Sequence, residues 1–495
     1  MKLVLTLLAL ASSLLPLCAQ TDEKPKPNIV VLFCDDLGYG DVQILNPERG
    51  KIKTPHLDAL ATSGMIFTDA HSGSAVCTPT RYGLLTGRYS WRTRLQRGVV
   101  SGFGPNLVAA DRPTVATFLK SQGYHTAIFG KWHLDFRYTD PETGKELTKK
   151  EQKRKMVPVG TTIPDGPLTR GFDRFHGIHH AGSMKAIIEG DTVIKHEDEI
   201  NFLPRLTRES IAYINERAQE KDTPFFLYLP YGSPHTPIVP SEEWQGKSGI
   251  NKYADFVMEN DDSVGQVIQA LKDNGLYENT LIIFTADNGC SKAANFKDLE
   301  AKGHFASAHM RGSKADLWDG GHRVPFLASW PGHIEPGSTN DTTLCLTDLF
   351  ATCVDLLHED IPAKSCEDSV SFLPAFKNEA LVSTRKGIIH HSVEGHFAYR
   401  LNDTSGQWKL LLSYGSGGWT APKEETAQKQ NLPKAQLYNL ADDPGETNNL
   451  YESNPEKAQA LLDQLTADIH SGRSTDGPES PNDLPNKEIN LWKSE

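Results

Sequence analysis

The sequence predicts an α/β protein. A large doubly wound, mostly parallel or mixed sheet flanked by helices precedes a smaller C-terminal α+β domain with an antiparallel sheet. Three observations predict it: recurring apolar runs, helical patterns between them, and a change of texture near residue 380. The runs are "NIVVLFCDD" (28–36), "HTAIFGKWH" (125–133), "PFFLYLPYGSPH" (224–235), "TLIIFTADNG" (280–289), "RVPFLASWP" (323–331) and "KGIIHHS" (386–392). Unbroken apolar runs of this length suit strands buried on both faces of a helix-covered parallel sheet. Between them, "TPHLDALATSG", "TVATFLKSQG" and "KYADFVMENDDSVGQVIQALKDNG" space apolar residues by three and four. Each stops at a glycine, the usual C-terminal end of a helix. Strands alternating with helices give the doubly wound arrangement. Further on, "GHFAYRLND", "WKLLLSYG" and "QLYNL" read as short antiparallel strands, and "NPEKAQALLDQLTADIHSG" as a helix. The polar tail after about residue 473 is expected to be loosely ordered. Residues 139–165, charged and punctuated by Pro and Gly, read as an inserted surface loop.

With 495 residues, the chain exceeds the roughly 250–300 at which one core stops growing. The expected organisation is a signal peptide at 1–19, a main α/β domain at 20–380 and the smaller domain at 381–495. "MKLVLTLLALASSLLPLCA" carries Lys2, an apolar stretch and a small residue, Ala19, for cleavage, which indicates export to the periplasm or beyond. The bulky Leu17 before Cys18 weighs against a lipoprotein anchor. No segment is apolar for long enough to span a bilayer. A net charge of −12 gives no overall basic field for nucleic acid. An anion is therefore expected to be held by a local cluster of positive groups. The six cysteines beyond the leader are Cys34, Cys77, Cys290, Cys345, Cys353 and Cys366. They form no C-x-x-C pair and no compact disulfide framework. Cys34 and Cys290 read as buried small hydrophobes, and pairing among Cys345, Cys353 and Cys366 stays open.

In a doubly wound sheet, ligands bind outside the carboxyl ends of the strands. Four runs end there in polar residues: Asp35 and Asp36, Lys131 and His133, His235, and Asp287 with Asn288. Asp35, Asp36, Asp287 and Asn288 offer hard oxygen atoms, which suit calcium or magnesium rather than zinc. Lys131 and His133, two apart in extended chain, point the same way. With Arg81, Lys314 and His235 they form a donor set fit for a tetrahedral oxyanion. Each residue alone also has a plain reading as a solvated or capping side chain. Arg88, Arg92, Arg94 and Arg97 in "GRYSWRTRLQRG" read as structural or solvated. Cys77, in "SAVCTPTRYGLLTGRY", has three readings: a core cysteine, a thiolate at a helix N-terminus, or a modified residue. A cysteine-phosphatase loop would want arginine at position 83, which is Gly83 here.

The pattern C-x-P-x-R from Cys77 to Arg81, followed by "YGLLTGRY", resembles the signature of the type I, formylglycine-dependent sulfatases of the alkaline-phosphatase-like superfamily. "NIVVLFCDDLGYGD", "GYHTAIFGKWHL", "GFDRFHGI", "GSPHTP", "FTADNG", "MRGSKADLWDGGHRVPF" and "LYNLADDPGETNNL" agree with it in order and spacing. The resemblance covers almost the whole mature chain. It implies that a maturation enzyme oxidises Cys77 to 3-oxoalanine (formylglycine). It implies that Asp35, Asp36, Asp287, Asn288 and the modified Cys77 hold Ca2+, or Mg2+. Arg81 would stabilise the aldehyde hydrate, and Lys131 and Lys314 would neutralise sulfate oxygens. His133 would bond the hydrate, and His235 would protonate the leaving alcohol. One hydrate hydroxyl would attack sulfur, and the other would collapse to aldehyde and expel sulfate. Similarity to secreted bacterial carbohydrate sulfatases implies a sulfated carbohydrate substrate, with exo-action on 6-O-sulfated galactose or N-acetylgalactosamine expected. His176, His179, His180, Trp318 and His391 are candidate sugar contacts. Competing readings are a broad arylsulfatase, a phosphatase or phosphonate hydrolase of the same superfamily, a cysteine-thiolate hydrolase, and a sulfated-glycan-binding protein without turnover.

Overall fold

The computed structural model describes residues 25–149, 156–382 and 385–492; the expected signal peptide lies outside them. In chain order the strands are β1 (Asn28–Asp35), β2 (Met65–Phe67), β3 (Ala70–His71), β4 (His125–Lys131), β5 (Arg174–Ile178), β6 (Ala186–Glu189), β7 (Thr192–His196), β8 (Phe225–Pro234), β9 (Thr280–Ala286), β10 (Phe326–Ser329), β11 (Ser338–Asn340), β12 (Leu344–Cys345), β13 (Gly387–His391), β14 (Phe397–Asp403), β15 (Gly406–Leu411) and β16 (Gln436–Asn439).

Among the described residues, ten strands form one sheet in the order β11-β2-β10-β9-β1-β8-β4-β5-β6-β7. Its centre, β9-β1-β8-β4-β5, is parallel throughout. Every residue of β1, β8 and β9 is buried, because helices cover both faces. Pro55–Thr62, Phe202–Arg217 and Lys252–Asp273 pack together on one side, and Cys77–Thr86, Val115–Ser121 and Leu349–Leu356 on the other. Local chemistry sets the helix ends. Thr114 Oγ1 accepts the Thr117 amide at 3.1 Å, and the Asn251 side chain accepts that of Ala254 at 3.0 Å; both are N-terminal caps that satisfy otherwise orphaned donors. Gly130, at φ 136°, lets β4 pass β8: a Cβ there would lie 1.9 Å from the Pro230 carbonyl oxygen.

Two of the six apolar runs depart from the parallel expectation. β10 lies antiparallel to β9. β13 belongs to a separate four-stranded antiparallel sheet, β13-β14-β15-β16, against which the helix Pro455–His470 packs. An apolar run records burial, not direction, so neither departure was visible in it. The tail is also more ordered than expected. Ser474 N donates to Glu367 O at 3.0 Å and Asp483 N to Arg92 O at 2.8 Å, while Arg88 donates to Pro481 O at 3.1 Å. Arg88 and Arg92 are fully buried, and Arg92 grips Asp368 with two bonds of 2.8 Å. These arginines are structural, as read, and the tail supplies some of their acceptors. The expected loop at 139–165 is partly tied down in its described portion, where Thr139 bridges Glu146 and Thr162.

Candidate active site

Parallel direction puts the carboxyl ends of β1, β8, β9, β4 and β5 on one edge of the sheet, and the site grows there. Asp35 closes β1. Asp36 follows in left-handed backbone, φ 66°, a conformation that Asp tolerates better than most residues. That turn aims the Asp36 amide at Asp287 Oδ1, 3.1 Å away beyond the end of β9. Asn288 Nδ2 donates to Asp36 Oδ1 at 2.8 Å. Gly289 follows because a Cβ there would lie 1.9 Å from the Gly320 carbonyl oxygen.

Cys77 is the first residue of the helix Cys77–Thr86, entered from Val76 in extended backbone and ended by Gly87 at φ 66°. The entering loop is fixed from β13, whose His391 carbonyl accepts Ala75 N at 3.0 Å and Ser74 Oγ at 2.8 Å. One turn on, Arg81 donates to Asp287 Oδ2 at 2.8 Å and to the Lys131 carbonyl at 3.1 Å. Lys131 Nζ donates to Asp35 Oδ2 at 2.5 Å, and Lys314 donates to Asp36 Oδ1. His235 Nε2 stands 3.7 Å from Asp36 Oδ2 with its side chain 20% exposed, while Nδ1 lies 2.6 Å from the Thr236 carbonyl oxygen. His133, at φ 55°, is held through its backbone: its amide donates to His179 O at 2.7 Å and its carbonyl accepts Thr78 Oγ1 at 3.0 Å.

The electrostatics are those of a buried charge cluster. Burial pushes the Asp35 carboxyl up, and Lys131, His235 and Arg81 more than reverse it, holding it well below the usual carboxylate range. Burial and the facing Asp35 charge push Asp287 up, against Arg81. Burial also raises the Cys77 thiol, against Lys131 and Lys314, so the unmodified side chain is held as a thiol and is a poor thiolate nucleophile.

The residues fit a divalent hard cation. Asp35 Oδ1 and Asn288 Oδ1 are buried without a hydrogen-bond partner, an arrangement that costs free energy unless something else satisfies them. Asp35, Cys77 and Asp287 each bring a ligand atom within 4.8 Å of the others. Two carboxylates facing each other out of water are the like-charge crowding that a cation relieves.

The structure therefore brings Cys77, Arg81, Lys131, His133, His235 and Lys314 to one edge with Asp35, Asp36, Asp287 and Asn288. It treats the five candidate sugar contacts differently. His180 is half-buried, with its ring 5.6 Å from that of His133. His179 lies behind it, buried edge-on against Phe136 and 3.7 Å from Asp135 Oδ1. His391 is buried, with its ring on Phe397, and its carbonyl holds the loop before Cys77. His176 and Trp318 are not brought to the site. His176 packs among Phe129 and Arg205, and Trp318 donates to Gln436 Oε1 at 3.1 Å beneath the Arg311 guanidinium. Sequence reasoning missed Asp316. It accepts the amide of Ser313 at 2.9 Å and that of Trp419 at 2.8 Å, and so shapes the turn carrying Lys314. Nothing in "SKADLW" signals that role. The six described cysteines are buried and unbonded to one another.

A doubly wound sheet with oxygen ligands and cationic donors at its strand tips is the architecture of the alkaline-phosphatase-like superfamily. The sulfatase family model matches residues 27–359, and the chain belongs to that family: it is a sulfuric ester hydrolase. An N-acetylgalactosamine-6-O-sulfatase of Bacteroides thetaiotaomicron is 30% identical over 89% of this chain and 92% of its own. Arylsulfatase A of Bos taurus is 32% identical over 92% of this chain and 89% of its own. A solved structure from work on glycosaminoglycan metabolism by Bacteroides thetaiotaomicron is 26% identical, covers 90% of this chain and 99% of its own, and superposes with a TM-score of 0.76. Sulfatases generally use a formylglycine and a divalent metal. No helix among the described residues is long and apolar enough to cross a membrane.

Proposed function

We propose that this protein is an exported, exo-acting carbohydrate sulfatase that removes 6-O-sulfate from galactose or N-acetylgalactosamine of glycans, using a formylglycine made from Cys77. The observation that carries it is the meeting of Cys77 with Lys131, Lys314 and the orphaned oxygens of Asp35 and Asn288. Names of relatives support the substrate: besides the Bacteroides enzyme, an N-acetylgalactosamine-6-sulfatase of Mus musculus is 28% identical over 89% of this chain. The bovine arylsulfatase favours a second reading, a sulfatase of broad aryl specificity. Family membership and the raised Cys77 thiol weigh against the phosphatase and thiolate-hydrolase readings.

In this reading Asp35, Asp36, Asp287, Asn288 and the modified residue 77 hold Ca2+, or Mg2+. When bound, the cation draws charge from the sulfate oxygens, and the hydrated aldehyde supplies the nucleophilic hydroxyl. The rest falls to the chain's own side chains. Lys131 and Lys314 face the sulfate oxygens, whose charge otherwise repels a nucleophile. Arg81, locked on Asp287, fixes the first turn of the helix that presents residue 77. His133 stands where it can hold a proton at the hydrate. His235 orients Nε2 toward the opening by bonding Thr236 O through Nδ1, the geometry of an acid for the departing sugar oxygen.

Mass spectrometry of the Cys77 peptide, from protein produced with and without a formylglycine-generating enzyme, tests this. Aldehyde at residue 77 should appear with turnover of 6-O-sulfated N-acetylgalactosamine. Turnover by protein carrying only the thiol would sink the formylglycine assignment.

A further inference from the structure

The segment Ser416–Thr420 belongs to the C-terminal part of the chain, yet it folds onto the turn that carries Lys314. Leu317 N donates to Ser416 O at 2.8 Å. The amides of Trp419 and Thr420 donate to Asp316 Oδ1 at 2.8 and 3.0 Å, and the Thr420 hydroxyl donates to Asp316 Oδ2. Gly418 lies so close that a Cβ would sit 2.3 Å from the Ala315 carbonyl oxygen. These bonds fix the backbone at Trp419 and leave its ring partly exposed.

A second element reaches the same place. Lys292 follows Asn288 by four residues, and Cys290 between them accepts the Lys314 amide at 3.0 Å. The Lys292 side chain is exposed, with its ammonium 5.1 Å from the centre of the Trp419 ring. An indole and an ammonium thus stand together, on two segments that are both tied to the turn carrying Lys314. A segment whose backbone is already fixed loses little freedom on binding. The apolar face of the indole suits the C–H face of a pyranose, while the ammonium suits an anionic substituent.

We propose that Trp419 and Lys292 form the outer subsite, binding the sugar next to the one that carries the scissile sulfate, and that this neighbour bears a carboxylate or a second sulfate. The substrate is therefore an anionic glycan read over at least two sugars. This rests on the carbohydrate-sulfatase reading above.

Calorimetric binding in a Cys77→Ala background, where nothing is turned over, tests it. The probes are a tetrasaccharide of alternating uronate and 6-O-sulfated N-acetylgalactosamine, with the sulfated sugar at its non-reducing end, and the 6-O-sulfated monosaccharide alone. Trp419→Ala should weaken the tetrasaccharide about tenfold, a change of the size expected for one lost aromatic contact. Its effect on the monosaccharide should be several times smaller. Trp419→Phe should recover most of the loss, and Lys292→Gln should flatten the salt dependence of tetrasaccharide binding. Equal weakening of both probes, or unchanged tetrasaccharide binding in Trp419→Ala, overturns the subsite and leaves the sulfatase reading standing. A parent that binds neither probe overturns the subsite together with the 6-O-sulfated carbohydrate reading.

Discussion

Lys131 Nζ stands 2.5 Å from Asp35 Oδ2, although β8 runs between the strands that carry them. Both residues end parallel strands, so both reach the same edge, and the long lysine crosses the tip of β8 to close the gap. Lys131 is the largest of several positive influences on the buried Asp35 charge, ahead of His235 and Arg81. Arg81, also near Asp35, is 3.6 Å from Oδ1 and directs its shorter bond to Asp287.

Replacing Lys131 by methionine keeps the length and removes the charge. Breaking a buried pair from one side costs roughly 3–5 kcal/mol, so the thermal midpoint should fall by several degrees. Activity on a sulfate ester should fall at least about 100-fold, the usual size for one lost charge-stabilising group. Lys131→Arg should recover stability better than rate, because a planar fork does not replace a point charge. Calorimetry and steady-state kinetics on the same preparations decide it; a Lys131→Met protein of unchanged rate removes Lys131 from the proposed sulfate site.

Removing divalent cations should cost stability as well as activity. Without one, Asp35 and Asp287 face each other in a buried site, and burial with that neighbour pushes the Asp287 carboxyl up. A ligand at 100 times its Kd adds about 2.7 kcal/mol to stability. Dialysis against EGTA should lower the thermal midpoint and abolish turnover, and Ca2+ should restore both. Protein whose midpoint ignores the chelator does not use these oxygens for a metal.

The pieces of the site that were legible in the sequence are those fixed by strand direction. Asp35, Lys131, His235 and Asp287 each follow an apolar run, and a parallel sheet sends every such end to one edge. What depends on distant partners was not legible. Trp318 looked available until Gln436, 118 residues later, took its N–H. Asp316 acquires its role from a loop 103 residues away. The tail looked unstructured by composition, yet Arg92 meets Asn482 across 390 residues. The direction of β10 and the sheet membership of β13 were likewise set by pairing partners that local composition does not encode.

His176 makes the fold sensitive to mild acid. Its Nε2 lies 3.5 Å from an Arg205 nitrogen. Burial first, then Arg205, lowers its pKa to about 4, with Lys195 and Arg208 acting in the same sense and Glu209 opposing. The folded ring is neutral where an unfolded histidine, titrating near ~6.5, takes a proton. Its contribution is therefore complete above pH ~6.5 and lost as pH falls toward ~4, up to about 3 kcal/mol. His176→Gln cannot titrate, so the stability gap between wild type and variant should narrow from pH 7 to 4.5 in urea titrations. A gap of constant size rules the ring out as the source.

His235 should reveal its role through the leaving group. Its Nδ1 is committed to the Thr236 carbonyl, which leaves Nε2 facing Asp36 Oδ2 at 3.7 Å and the partly open side of the site. Burial lowers its pKa, while the Asp36 and Asp35 carboxylates favour the protonated ring. A sugar alkoxide is a poor leaving group and needs that proton as the S–O bond breaks; a nitrophenolate does not. His235→Ala should therefore lose about 100- to 10,000-fold on a sugar sulfate, the range for a general acid, and far less on 4-nitrophenyl sulfate. His235→Gln should behave like the alanine variant, since an amide can hold a hydrogen bond but cannot deliver the proton. Should both esters lose equally, His235 acts on the sulfate group and not on the departing alcohol, and another residue must supply the acid.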